Sequence, residues 1–156
     1  MAERNRWQQR RTAAYLFAMG LRRRMTLGAR IALVEGDRVY LIRHTYVPGW
    51  HFPGGGIEPG ESVELGVARE LSEESAYRLT ARPELFGLYH NVSVTNRDHV
   101  AFYIGRQFEE ARGFAPNFEI AEFGWFDWRA LPAGASEATR RRVAEMFEGV
   151  EKAELW

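Results

Sequence analysis

Three glutamates, Glu70, Glu73 and Glu74, fall within five residues of one another. On a helix turning about 100° per residue they span an arc of about 100°, so their carboxylates share one face. Gly66 lies in the same arc one turn earlier and adds no side chain there. Such a face is costly. Like charges four residues apart destabilise by about 0.2–0.5 kcal/mol, and carboxylates late in a helix oppose its dipole by about 0.3–1 kcal/mol each. Only Arg69 and Arg78 lie nearby in sequence to offset them. A glutamate cluster is ordinarily a solvated surface, but a hard divalent cation with oxygen ligands would compensate this one directly. The preceding residues favour the cation. Gly54-Gly55-Gly56 lets the backbone approach phosphate or metal closely, and Pro59-Gly60-Glu61 turns the chain toward the helix with one more carboxylate.

The stretch over residues 55–77, GGIEPGESVELGVARELSEESAY, closely resembles the Nudix box, G-x5-E-x7-R-E-U-x-E-E-x-G-U with U a bulky apolar residue. Gly55, Glu61, Arg69, Glu70, Leu71, Glu73 and Glu74 match at the required spacing. Six of these are single-residue demands, so at about 7% usage each the chance agreement is on the order of 10⁻⁷ per starting point. Two positions depart. Ala76 stands where the family has glycine, and Tyr77 replaces an aliphatic residue. If a left-handed helix cap is kept there, alanine costs about 1 kcal/mol.

The resemblance implies a Nudix hydrolase that cleaves a pyrophosphate bond. The substrate would be a nucleoside diphosphate linked to another group, such as a nucleotide sugar or ADP-ribose, or a nucleoside triphosphate. It implies Glu70, Glu73 and Glu74 as catalytic metal ligands, with the Gly55 carbonyl as a backbone ligand. Glu61 and Arg69 are expected to form an ion pair that fixes the loop against the helix, with Arg69 apart from the full acidic face. Mg²⁺, with Mn²⁺ as a substitute, would neutralise phosphate oxygens and activate water. For the general base, Glu119 and Glu122 stand as candidates beside a box glutamate. Tyr46, Trp50 and Phe52 are candidates to stack a base, and His51, like His44, to hydrogen-bond phosphate or ribose. A nucleotide sensor without turnover and an RNA 5′-end pyrophosphohydrolase are the competing functions.

The elements that must position these residues are partly legible. Residues 27–34 and 38–44 are β-rich and joined by Glu35-Gly36-Asp37, which predicts an antiparallel pair. Residues 48–60 are dense in Gly and Pro and predict a loop, with a short extended piece at 50–52. Residues 62–75 predict a helix capped by Ser62, with Val63, Val67 and Leu71 as its buried stripe. Strands are expected over 85–94, 99–107 and 119–128, and a last helix over 136–147 capped by Ser136. The expected fold is α/β: a Nudix-like α/β/α sandwich with a mixed sheet, plus an N-terminal basic helix.

Composition bounds the rest. The chain of 156 residues has 46% hydrophobic and 27% charged residues, as ordinary globular proteins do. It has no cysteine, which excludes disulfides and thiolate metal sites. Net charge is zero, yet residues 1–25 hold seven arginines against Glu3, leaving an acidic remainder. The domain reading is therefore a basic helical arm over 1–25, helical from about residue 6, and a Nudix domain over 26–156. The arm's longest apolar run, 13–21, is about half of what a bilayer needs, and no secretory pattern is present, so the cytoplasm is expected. The expected partner is a small nucleotide, not a nucleic acid. Packing or a homodimer interface ranks first for the arm, before peripheral membrane contact and then RNA contact.

Overall fold

A computed structural model describes residues 12, 15, 20, 24–93, 95–111, 113 and 115–156. The basic helical arm lies outside the described residues except at isolated positions. Among the described residues from Thr26 on there are seven strands and two α-helices: β1 (Thr26–Glu35), β2 (Arg38–His44), α1 (Val63–Glu74), β3 (Tyr77–Leu79), β4 (Glu84–His90), β5 (Asp98–Gly105), β6 (Phe108–Glu110), β7 (Ile120–Asp127) and α2 (Glu137–Phe147).

The main sheet runs β4-β5-β1-β2-β7, and β3 pairs with β6 in a second, two-stranded sheet. β1 is parallel to β5 from Thr26↔Asp98 to Leu33↔Gly105, while the β4/β5 and β2/β7 pairs are antiparallel, so the sheet is mixed. Side chains alternate across β1 because successive residues of a strand point to opposite faces. Ala29, Ile31 and Leu33 pack with Val67 and Leu71 of α1. Ala32 and Val34 pack on the opposite face with Val143 of α2. One helix per face makes the α/β/α sandwich. Full burial of Val67 and Leu71 contributes about 1.5–3 kcal/mol each and clamps α1 to the sheet.

The expected antiparallel pairing of β1 with β2 is present, at Val34↔Val39 and Glu35↔Arg38, and further on the glycine loop enters between the two strands. β3 and β6 were not foreseen, since three residues carry too little periodicity to register. The helix also ends without a left-handed residue. Ser75 is extended (φ −143°, ψ 169°), and its hydroxyl donates to the Leu71 carbonyl at 2.6 Å while accepting the Tyr77 N–H at 3.0 Å. Arg24 alone among described non-glycine residues has positive φ, so Ala76 carries no left-handed strain. Tyr77 is placed by aromatic packing, edge-on to Tyr40 at 5.1 Å and Trp125 at 5.6 Å.

Candidate active site

The glycine loop is a wedge. Past Val34 the two strands splay, and the loop supplies the missing backbone partners. Ala29 N–H donates to the Gly55 carbonyl at 2.9 Å, Ile31 N–H to Pro53, and Ile57 N–H to Leu27, while Ile42 and His51 exchange both bonds. Gly54 has φ +136°, and a Cβ there would collide with the Ala29 carbonyl oxygen. No other residue fits. A Cβ on Gly55 would sit 2.5 Å from a Glu70 carboxylate oxygen, so glycine lets the Glu70 carboxylate lie directly against the loop.

Helix α1 brings its carboxylates to this wedge. Ser62 caps it, its hydroxyl accepting the Leu65 N–H at 3.3 Å. Arg69 is the hub of the acidic face. It donates to both Glu61 oxygens, at 2.7 and 3.3 Å, and to the Gly56 carbonyl at 3.1 Å, which ties loop to helix as expected. It also reaches Glu70 at 2.7 Å and Glu73 at 3.2 Å. Its long side chain crosses the angular gap, so the expectation that it stays apart from the acidic face is corrected. Gly66 is not bare either. Ile57 and Glu61 fill the space where its side chain would be.

Glu74 differs from its neighbours. It is only 6% exposed, and Oε2 accepts the Gly54 N–H at 2.7 Å. Burial pushes its pKa up to about 7, against the pull of the Gly54 N–H and Arg30. His44 Nε2 lies 3.6 Å from the other oxygen, Oε1. Burial, helped by Arg30, lowers His44 to about 4, so this contact is not a charged ion pair at neutral pH. Arg30 donates to the Phe52 carbonyl at 3.2 Å, and its charge acts on Glu74, His44 and His51. The Glu119 charge in turn raises the Glu74 pKa.

Among the described residues, no three carboxylate or imidazole groups already gather around one point as a metal cage. Glu70 and Glu73 are turned onto Arg69, and Glu74 onto Gly54. The donor set nevertheless suits a hard cation. It is all oxygen, the Glu74 carboxylate is buried, and the Glu70 carboxylate lies against Gly55 where a Cβ would collide with it.

The other candidates part company. Tyr46 is 68% exposed with its ring 5.2 Å from that of His44, at the mouth of the site. His51 Nε2 lies 2.9 Å from the Pro48 carbonyl, and burial lowers the ring's pKa. Phe52 is 1% exposed and packs on Phe102 at 4.9 Å, leaving no face for a base. Trp50 is half-buried edge-on to Phe126 at 4.8 Å. Both serve packing, because an extended piece between two strands must fill the core with alternate side chains. Glu122 is exposed on β7 and ion-paired with Arg43. The Gly55 carbonyl already accepts the Ala29 N–H and has one lone pair left.

Sequence reasoning missed the cleft beside the loop. About 250 Å³ in volume, it is lined by Gly55, Gly56, Arg30, Asn91, Asp98 and Trp156, among others. Arg30 left a signal, as a lone cation inside the apolar run of β1. Asp98 holds the rim together. It accepts the Thr26 hydroxyl at 2.7 Å and the Asn91 amide at 2.8 Å.

The NUDIX domain model matches residues 24–147. The chain is 26% identical over 121 residues to a putative 8-oxo-dGTP diphosphatase of Bacillus subtilis (strain 168), covering 78% of each chain. It is 38% identical over 65 residues to a MutT-like protein of Streptomyces ambofaciens, a match spanning 42% of each. The crystal structure of a MutT NUDIX hydrolase from Burkholderia pseudomallei superimposes with a TM-score of 0.68 at 27% identity. That match covers 81% of this chain and 98% of the other.

Proposed function

The chain belongs to the NUDIX family, and from that premise we propose that this Nudix hydrolase cleaves the phosphoanhydride of a nucleoside triphosphate or nucleoside diphosphate derivative, using Mg²⁺ held by Glu70, Glu73 and Glu74. The observation that carries the reading is adjacency. The α1 carboxylates flank the wedge at Gly54 and Gly55, and the cleft opens beside Gly55 and Gly56. A nucleoside seated in the cleft would place its phosphates at the carboxylates. The volume of about 250 Å³ lies just under the roughly 300 Å³ where pockets for whole drug-sized ligands begin, which suits one nucleoside. The name of the Bacillus subtilis relative makes nucleoside triphosphates the first substrates to test.

When bound, Mg²⁺ would neutralise phosphate oxygens and activate the attacking water. The chain's own groups do the remaining work. Arg30 offers a fixed cation to a phosphate oxygen, positioned by its bond to the Phe52 carbonyl. Glu61 and Arg69 lock the loop onto the helix, and Arg69 balances the charge of Glu70 and Glu73. Glu119, whose charge acts on Glu74 while Arg43 holds Glu122, would accept the proton of the attacking water.

The test is turnover with Mg²⁺ over a panel of nucleoside triphosphates, nucleotide sugars and ADP-ribose, with products identified by mass in ¹⁸O-water. A nucleoside monophosphate product is expected from at least one substrate. Glu74→Gln should lower kcat at least about 10²-fold, since metal stabilisation of the transition state amounts to several kcal/mol. Tight nucleotide binding without turnover would instead identify a sensor and overturn the proposal.

A further inference from the structure

Residues 153–156 are fastened to the molecule by a buried charge pair that takes no part in the chemistry above. Arg142 is fully buried and donates to Glu145 Oε1 at 2.5 Å and to the Leu155 carbonyl at 3.2 Å. The same Glu145 oxygen accepts the Ala153 N–H at 2.9 Å, and Oε2 accepts the Tyr89 hydroxyl at 2.8 Å. The guanidinium lies 3.7 Å over the Tyr89 ring. Taking two charges out of water costs more than their attraction returns unless their hydrogen bonds are well used. Here each partner spends one bond on the backbone of this segment, Arg142 at the Leu155 carbonyl and Glu145 at the Ala153 N–H. A second set of bonds runs to the sheet edge, where His90 N–H donates to the Glu154 carbonyl at 2.9 Å and Trp156 N–H to the His90 carbonyl at 3.0 Å.

What this anchoring places is one ring. Trp156 sits edge-on to Phe102 at 5.5 Å and Tyr89 at 5.8 Å, and it walls the same cleft as Gly55 and Gly56. Leu27 and Val100 add apolar lining, and Asp98 keeps acceptor capacity at the rim. An aromatic plane beside an apolar slot with a polar edge is the chemistry that receives a flat heterocycle.

We propose that Trp156, positioned by the buried Arg142–Glu145 pair, is the residue against which the substrate's nucleobase stacks, and so selects nucleotides over sugar phosphates that lack a base. The proposal rests on the nucleotide reading given above. Stacking of a base on an aromatic side chain is lost on truncation at a cost of about tenfold or more in affinity.

The test is calorimetric titration of the full chain with AMP, GMP, CMP, UMP and ribose 5-phosphate in Mg²⁺ buffer. Trp156→Leu fills the volume without an aromatic face and should weaken the best nucleotide at least about tenfold. Trp156→Phe should keep most of the affinity, and ribose 5-phosphate should bind all three proteins alike. In the wild-type protein, which carries no packing risk, the Trp156 indole N–H resonance should shift when the nucleotide is added. An unshifted resonance, or equal nucleotide affinity in wild type and Trp156→Leu, overturns this inference while leaving the hydrolase reading intact. A wild-type protein that neither binds nor hydrolyses any nucleotide overturns both.

Discussion

Glu74 and His44 carry opposite pH signatures from the same burial. Folded Glu74 titrates near 7 instead of its ordinary 4.5. Between those values the unfolded chain releases the proton first, so this group's contribution to stability is present at low pH and lost as pH rises through the window. Folded His44 titrates near 4 instead of 6.5, so its contribution is present above 6.5 and lost as pH falls toward 4. The two slopes oppose each other in the overlap. Replacing Glu74 by Gln removes one of them. In metal-free protein the Tm of the wild type minus that of Glu74→Gln should therefore fall as pH rises from about 4.5 to about 7. A difference that is flat or rises would show that Glu74 is not held protonated by the fold. The charged residues of the acidic face were legible in sequence because their spacing alone puts them on one side of a helix. The burial that separates Glu74 from Glu73 was not, since it depends on which helix positions the wedge at Gly54 covers.

The helix that carries these groups shows where local sequence suffices and where it does not. Ser62 and the stripe Val67–Leu71 were readable, because capping and helical periodicity are local properties. The end of α1 was not. A family glycine suggests a left-handed cap, but the Ser75 hydroxyl satisfies the last turn and the chain leaves in an extended conformation. This decides the sign of a substitution. Ala76→Gly should lower stability by about 0.5–1 kcal/mol, through the greater freedom glycine gives the unfolded chain, where a left-handed cap would have made it stabilising. Chemical denaturation of the two proteins checks it, and a higher midpoint for Ala76→Gly would contradict this helix end. Trp50 and Phe52 went astray for a related reason. Aromatics flanking a Pro-Gly loop look available to a ligand until the piece they sit on is found between two strands, with its side chains in the core.

Across the whole molecule the mixed sheet with a helix on each face was expected, while the cleft was not. Arg30, Asn91, Asp98 and Trp156 are separated by up to 126 residues in sequence and meet only because β1 and β5 run parallel and residues 153–156 return to the edge of β4. No local pattern announces such a meeting. The central claim is the proposal that the acidic face of α1 and the glycine wedge form one cation site. Paramagnetic broadening of backbone amide resonances during a Mn²⁺ titration of the full chain tests it most directly. The account predicts that the first amides lost are those of residues 54–56 and 70–74. Broadening centred elsewhere, with those amides still sharp at saturating Mn²⁺, would contradict it.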